Sequence, residues 1–184
     1  VRSDATRNRQ AILRATEELL DAHGAEHISL DRVAAAAGVG KGTLFRRFGS
    51  RTGLFQELLA ERAAALAEAI ESPGSPLGPG TPPRERLLAF LDELAGLAER
   101  NLALFAAHER ACAADKYRDP TYLRWHAHVT GLVGAAAPGL DAGFAAHTLL
   151  ASFDADLARH VMAEGGADRL RASVRGVAEA LLRT

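Results

Sequence analysis

The chain has 184 residues, 48% hydrophobic and 24% charged, with a formal net charge of -1, the balance of an ordinary soluble globular protein with room for one or two cores. No uninterrupted apolar run approaches the ~18 residues that a membrane span requires, and the opening VRSDATRNRQ lacks the apolar stretch of a secretory signal, so a cytoplasmic protein is expected. The single cysteine, Cys112, excludes an intrachain disulfide or a cysteine-rich zinc centre.

Apolar residues recur at helical spacing, and no segment reads as a strand. Ile12, Thr16, Leu19, Leu20 and His23 mark a first helix, which Ser3 or Asp4 can cap and Gly24 can end. Leu30, Val33, Ala34 and Ala37 mark a second, between Ser29 as N-cap and Gly38 as stop. A short helix follows at about 41–47. A longer one runs from about Arg51 to residue 71 and buries Leu54, Phe55, Leu58, Leu59 and Leu66. The stretch SPGSPLGPGTPP ending at Pro83 holds five of the seven prolines and reads, over 71–83, as a mobile Pro/Gly-rich connector. Five more helices are expected at about 84–99, 101–114, 119–136, 141–164 and 168–183, the last two separated by Gly165-Gly166. The fold class is therefore all-α, with about nine helices.

Charge is unevenly spread along these elements. Residues 1–55 carry nine Lys or Arg against six Asp or Glu, and residues 56–184 carry thirteen against seventeen. A basic first segment on an acidic remainder suits a polyanionic partner. The segment GVGKGTLFRRFGSR, residues 38–51, concentrates that charge. Two helices joined at Gly38, with the small Ala34 four residues earlier, fit a helix-turn-helix. Val39 and Leu44 would face inward, leaving Lys41, Thr43, Arg46 and Arg47 outward on the helix that enters a major groove. Arginine can bond guanine bidentately, and a threonine methyl can touch thymine.

The run ISLDRVAAAAGVGKGTLFRRFGSRTGLFQEL resembles the DNA-binding motif of the tetracycline-repressor (TetR) family. Ala34, Ala37-Gly38-Val39, Gly42-Thr43-Leu44 with the following aromatic residue, Phe48, Arg51 and Leu54 carry the resemblance, and AILRATEELLDAHGAEHIS resembles the family's first helix. It covers about residues 7–60. The resemblance implies an N-terminal DNA-binding domain, 1–50, and a C-terminal regulatory and dimerisation domain, 51–184. It implies DNA-facing roles for Ser29, Lys41, Gly42, Thr43, Phe45, Arg46, Arg47 and Arg51. Phe45 stands where the family usually has a tyrosine whose hydroxyl bonds a phosphate, which a phenyl ring cannot do.

Beyond residue 100, His108, His126, His128, His147 and His160 show no metal-ligand spacing, so no metal site or cofactor is expected. No catalytic constellation appears and no enzyme activity is expected. Phe105, His108, Cys112, Tyr122, Trp125 and His126 mix apolar wall with polar handles and are the candidate pocket for a small-molecule effector. Two apolar stripes, Leu149, Leu150, Phe153 and Leu157, then Val174, Val177 and Leu181, are candidates for a homodimer interface, the use that the family makes of its last two helices. The expected function is a transcriptional regulator, a repressor that grips a palindromic operator as a homodimer and is released by a ligand; the alternatives are a constitutive or protein-regulated DNA binder without an inducer, or a metal or redox sensor.

Overall fold

The computed structural model describes residues 2–183, with side chains from Ala5 onward. Ten α-helices and two short 3-10 turns account for the secondary structure of the described residues: α1 (Arg2–His23), α2 (Leu30–Ala37), α3 (Lys41–Phe48), α4 (Arg51–Arg62), α5 (Ala64–Glu71), α6 (Pro83–Arg100), α7 (Leu102–Cys112), α8 (Pro120–Ala136), α9 (Ala142–Ala151) and α10 (Ala155–Leu181). The expected caps Ser3 and Asp4 have side chains outside the described ones. Gly24 ends α1 at φ 77°, its N–H bonded to the Leu20 carbonyl at 2.9 Å.

Two expected helices each divide. The segment 51–71 breaks at Ala63 (φ -87°, ψ 0°), although no proline or glycine marks the place. The segment 141–164 breaks after α9: Ser152, Phe153 and Asp154 donate to the carbonyls three residues back, tightening the last turn. Asp154 then caps α10 by accepting from the Asp156 N–H, and Phe153 is buried. Gly165 and Gly166 interrupt α10 with non-helical dihedrals, as the paired glycines predict. The proline-rich connector is a chain of turns fastened to the fold, not a free strap. Leu77 is buried, its carbonyl accepts from Arg86 Nε at 2.8 Å, and Thr81 Oγ1 donates to the Ser75 carbonyl at 3.2 Å.

The chain divides into two compact units, residues 1–61 with 103–114, and residues 62–102 with 115–184. Sequence reasoning draws the division near residue 50, but α4 joins the first unit nearly whole and most of α7 returns to it. In that unit α1 packs on α2 and α2 on α3, around Ile12, Leu13, Leu20, Val33, Leu44, Leu54, Phe55 and Leu58. In the second, α6 packs with α5, α8 and α10, and α9 with α8 and α10, around Leu87, Phe90, Leu94, Val129, Leu149 and Leu170. Asp119 and Asp141 cap α8 and α9.

Candidate nucleic-acid interface

The first unit holds α2 and α3 by local devices that the sequence encodes residue by residue. Ser29 Oγ accepts from the Arg32 N–H at 3.2 Å, capping α2. Gly38 ends α2 in the left-handed region (φ 65°, ψ 30°). There Val39 N–H bonds the Ala34 carbonyl at 3.0 Å and Gly38 N–H bonds the Ala35 carbonyl at 3.2 Å, the double bond of a Schellman motif. Leu44 and Phe48 turn one face of α3 into the core. Its other face, with Lys41, Gly42, Phe45, Arg46 and Arg47, is exposed.

The angle of α4 against α3 is set by residues that pattern reading overlooks. Ser50 Oγ accepts from the Gly53 N–H at 3.0 Å. A Cβ at Gly53 would lie 2.1 Å from the Phe48 carbonyl oxygen, so only glycine permits this approach. Arg9 of α1 grips Glu57 at 2.9 Å and Glu61 at 2.6 Å, fastening α1 along α4. Thr52 Oγ1 donates to the Ala111 carbonyl at 3.2 Å, which ties α7 to the start of α4. The Arg9 pairs and the Thr52 bond do not follow from periodicity, because each joins groups about 50 residues apart or more, whereas the Ser50–Gly53 bond is local.

The cations of the motif are not equivalent. Lys41 Nζ lies 2.7 Å from Asp31 of α2. The Arg47 guanidinium rests 6.0 Å from the Phe48 ring centre, and that of Arg51 5.5 Å from Phe55. Arg46 makes no ion pair or ring contact among the described residues.

Residues 12–58 match the family model for bacterial regulatory proteins of the tetR family. The match spans α2 and α3 and most of α1 and α4, and it stops short of the second unit. An HTH-type transcriptional regulator of Staphylococcus aureus strain USA300 is 43% identical over 54 residues, which cover 29% of this chain and 29% of the relative. The chain thus matches under a third of that curated relative's length. A TetR-like transcriptional regulator from Rhodococcus sp. RHA1 superposes with a TM-score of 0.62 at 21% identity, covering 93% of both chains. NalD, the secondary repressor of the MexAB-OprM multidrug efflux pump in Pseudomonas aeruginosa, gives 0.62 at 21% identity, covering 98% of this chain and 96% of that one. These two likenesses show a shared fold that runs through the C-terminal part as well.

The six candidate effector residues fall into two groups. Phe105, His108 and Cys112 belong to the first unit. They are buried, with Cys112 Sγ 3.6 Å from His108 Nε2. Tyr122, Trp125 and His126 belong to the second unit. There Tyr122 bonds His147 Nδ1 through its hydroxyl. The His126 ring centre lies 4.0 Å from that of His147, and its Nε2–H donates to the Gly143 carbonyl at 3.1 Å. Tyr117 meets Tyr122 edge-on at 5.4 Å. Burial, then the neighbouring His126, lowers the pKa of His147 below the ordinary histidine value. Burial, then Tyr117, raises that of Tyr122. His147 thus completes an aromatic cluster that sequence spacing did not assemble.

A cavity of about 420 Å³ opens elsewhere in the second unit, among α5, the turns of the connector and α6. Leu66, Ala69, Leu77, Ala89 and Leu97 form its apolar wall, and Arg62, Asp92, Glu93 and Arg100 its charged margin. Of the candidate interface residues, Leu149, Leu150, Phe153 and Val174 are buried within the chain's own fold, because α9 packs on α8 and both α9 and α6 pack on α10. Leu157 and Val177 stay exposed at 47% and 43%, and so does Phe144, at 70%. Leu181 is partly exposed. No described helix is long and apolar enough to cross a membrane.

Proposed function

We propose that the chain is a repressor that binds a two-fold symmetric operator as a homodimer and leaves it when a small molecule binds. The observation that carries the DNA-binding half is the exposed face of α3. Arg46, Arg47, Lys41, Thr43 and Phe45 stand on a helix whose opposite face is locked into the core, with Ser29 and Arg51 flanking it as phosphate contacts. A rigid short helix with a cationic outer face suits a major groove. The repressor sense accords with NalD, whose fold the chain shares.

The effector half rests on the cavity. Its size falls within the range of small-molecule sites. It borders α5 immediately after the break at Ala63, and the division between the two units falls at residues 61 and 62. Filling it with a mostly apolar molecule pushes α5 away from α6, and α4 carries that displacement to the recognition helix. A coupling of about 1–3 kcal/mol weakens operator binding roughly 5–150-fold, and operator weakens the effector by the same factor. The cluster of Tyr122, His126 and His147, with Trp125 on the same helix α8, is the second place where such a molecule can bind.

The test starts with selection of duplexes from a random pool by the purified chain. An enriched inverted repeat, bound by two copies, is the expected result; no enrichment over bulk DNA overturns the DNA-binding reading. Compounds that release the selected site are then tried against Ala89→Phe, which fills the cavity. Release that survives this substitution excludes the cavity as the effector site.

A further inference from the structure

The fold buries Leu44 and Phe48 of α3 and leaves Phe45, between them, 50% exposed. A large apolar ring in the middle of a cationic face is an anomaly for a surface that only tracks phosphates. Its setting directs it. Side chains on a helix lean toward the N-terminus, so the ring lies over the turn of Lys41 and Gly42. Gly42 offers no side chain there, and a Cβ at that position would meet no atom within 4 Å. Lys41 is drawn toward Asp31 on α2. The ring therefore stands beside a stretch of bare backbone, with room for a partner to approach closely.

The chemistry of the ring restricts that partner. A phenyl group has no hydrogen-bond donor or acceptor, so it satisfies neither a phosphate oxygen nor a polar base edge. In the major groove the apolar feature of a base pair is the thymine C5-methyl group. We infer that Phe45 is a specificity-determining residue that packs against the C5-methyl of an operator thymine. This rests on the DNA-binding reading above and adds the base class that one named side chain selects.

The test removes that methyl and nothing else. In the duplex selected by the chain, each thymine is replaced in turn by uracil, and binding of wild-type protein is measured at fixed salt. At one position per half-site, uracil is expected to weaken binding about fourfold, the weight of one buried methyl. Phe45→Ala is expected to bind the thymine and uracil duplexes equally. Thr43→Ser, which deletes the other methyl on this helix, is expected to leave the penalty at that position intact. Circular dichroism checks that the variants keep their helix, and the wild-type measurement stands without them. Uracil that is neutral at every position, or a penalty that persists in Phe45→Ala, overturns the inference while leaving DNA binding in place. A pool in which no duplex is enriched overturns both.

Discussion

Three of the four cations that the motif presents already have company: Lys41 an acid, Arg47 and Arg51 an aromatic ring each. The Lys41–Asp31 pair is exposed on both sides and such pairs contribute about 0–1 kcal/mol, so DNA can displace it. Arg46, without such a contact among the described residues, is the guanidinium best placed to reach a base edge. Arg46→Ala should cost about 1–3 kcal/mol on the selected operator and relax preference at one base pair. Arg51→Ala should instead weaken every sequence alike and lower the slope of log affinity against log salt by about one. Titrations of selected and random duplexes at several salt concentrations separate the two, and a sequence-specific loss in Arg51→Ala would reverse the assignment. Gly38 poses a different question, since a Cβ there meets nothing within 4 Å and only the positive φ resists substitution. Gly38→Val should therefore destabilise the motif by about 1–3 kcal/mol, while Gly38→Asn, tolerated in the left-handed region, should lose much less. Equal thermal stability and operator affinity in both variants would show that the left-handed turn is not what glycine secures.

At the level of the element, the first three segments were legible because each carries its own punctuation. Ser29, Gly38 and the alternation of Leu44 and Phe48 with charged neighbours are local signals. The breaks at Ala63 and after Ala151 were not legible, because an alanine-rich helix shows no stop where tertiary packing imposes one. The contacts of the connector were not legible for a related reason: proline forbids helix, but it does not announce the turns and the Arg86–Leu77 bond found there. Sequence reading grouped Tyr122 and His126 among the effector candidates but could not show that His147 of α9 packs against both. Helix α8 carries a further consequence that only packing reveals. His128 lies edge-on to Phe90 at 4.9 Å, and its Nε2 has no hydrogen-bond partner among the described residues. Burial, then Arg86, lowers its pKa below the ordinary 6.5, and His147 shifts the same way. The unfolded chain therefore takes up these protons before the folded one does. Stability should fall as pH drops through about 6.5 and below, toward the folded-state values. Melting temperatures measured from about pH 7.5 to 5.5 should show this decline, and His128→Phe should reduce it. An unchanged decline in that variant would assign the effect to other groups.

For the whole molecule, one short helix grips one half-site, and two half-sites a helical turn apart need two such helices held about 34–36 Å from each other. In the proposed homodimer a second copy supplies the other helix, and Leu157 and Val177 of α10 are the exposed apolar residues proposed to meet it. The burial pattern sorts the apolar stripes into two kinds. Leu149, Leu150, Phe153 and Val174 lie inside the chain's own core, while Leu157 and Val177, on either side of the Gly165-Gly166 break in α10, are exposed to solvent. Charge placed on the two kinds should have opposite consequences. Leu149→Glu buries an unpaired carboxylate and should unfold the second unit. Leu157→Glu combined with Val177→Glu meets water in the monomer and should leave the helical signal and melting cooperativity intact. In the proposed dimer the same pair would meet a second copy, where like charges in an apolar contact oppose association. Light scattering at micromolar concentration should therefore find dimers for the wild type and folded monomers for Leu157→Glu/Val177→Glu. Operator affinity should collapse with the dimer, because the second half-site no longer contributes, while non-specific phosphate binding by a single α3 persists. A double variant that remains dimeric would move the interface away from Leu157 and Val177. One that becomes monomeric yet keeps full operator affinity would show that a single recognition helix suffices.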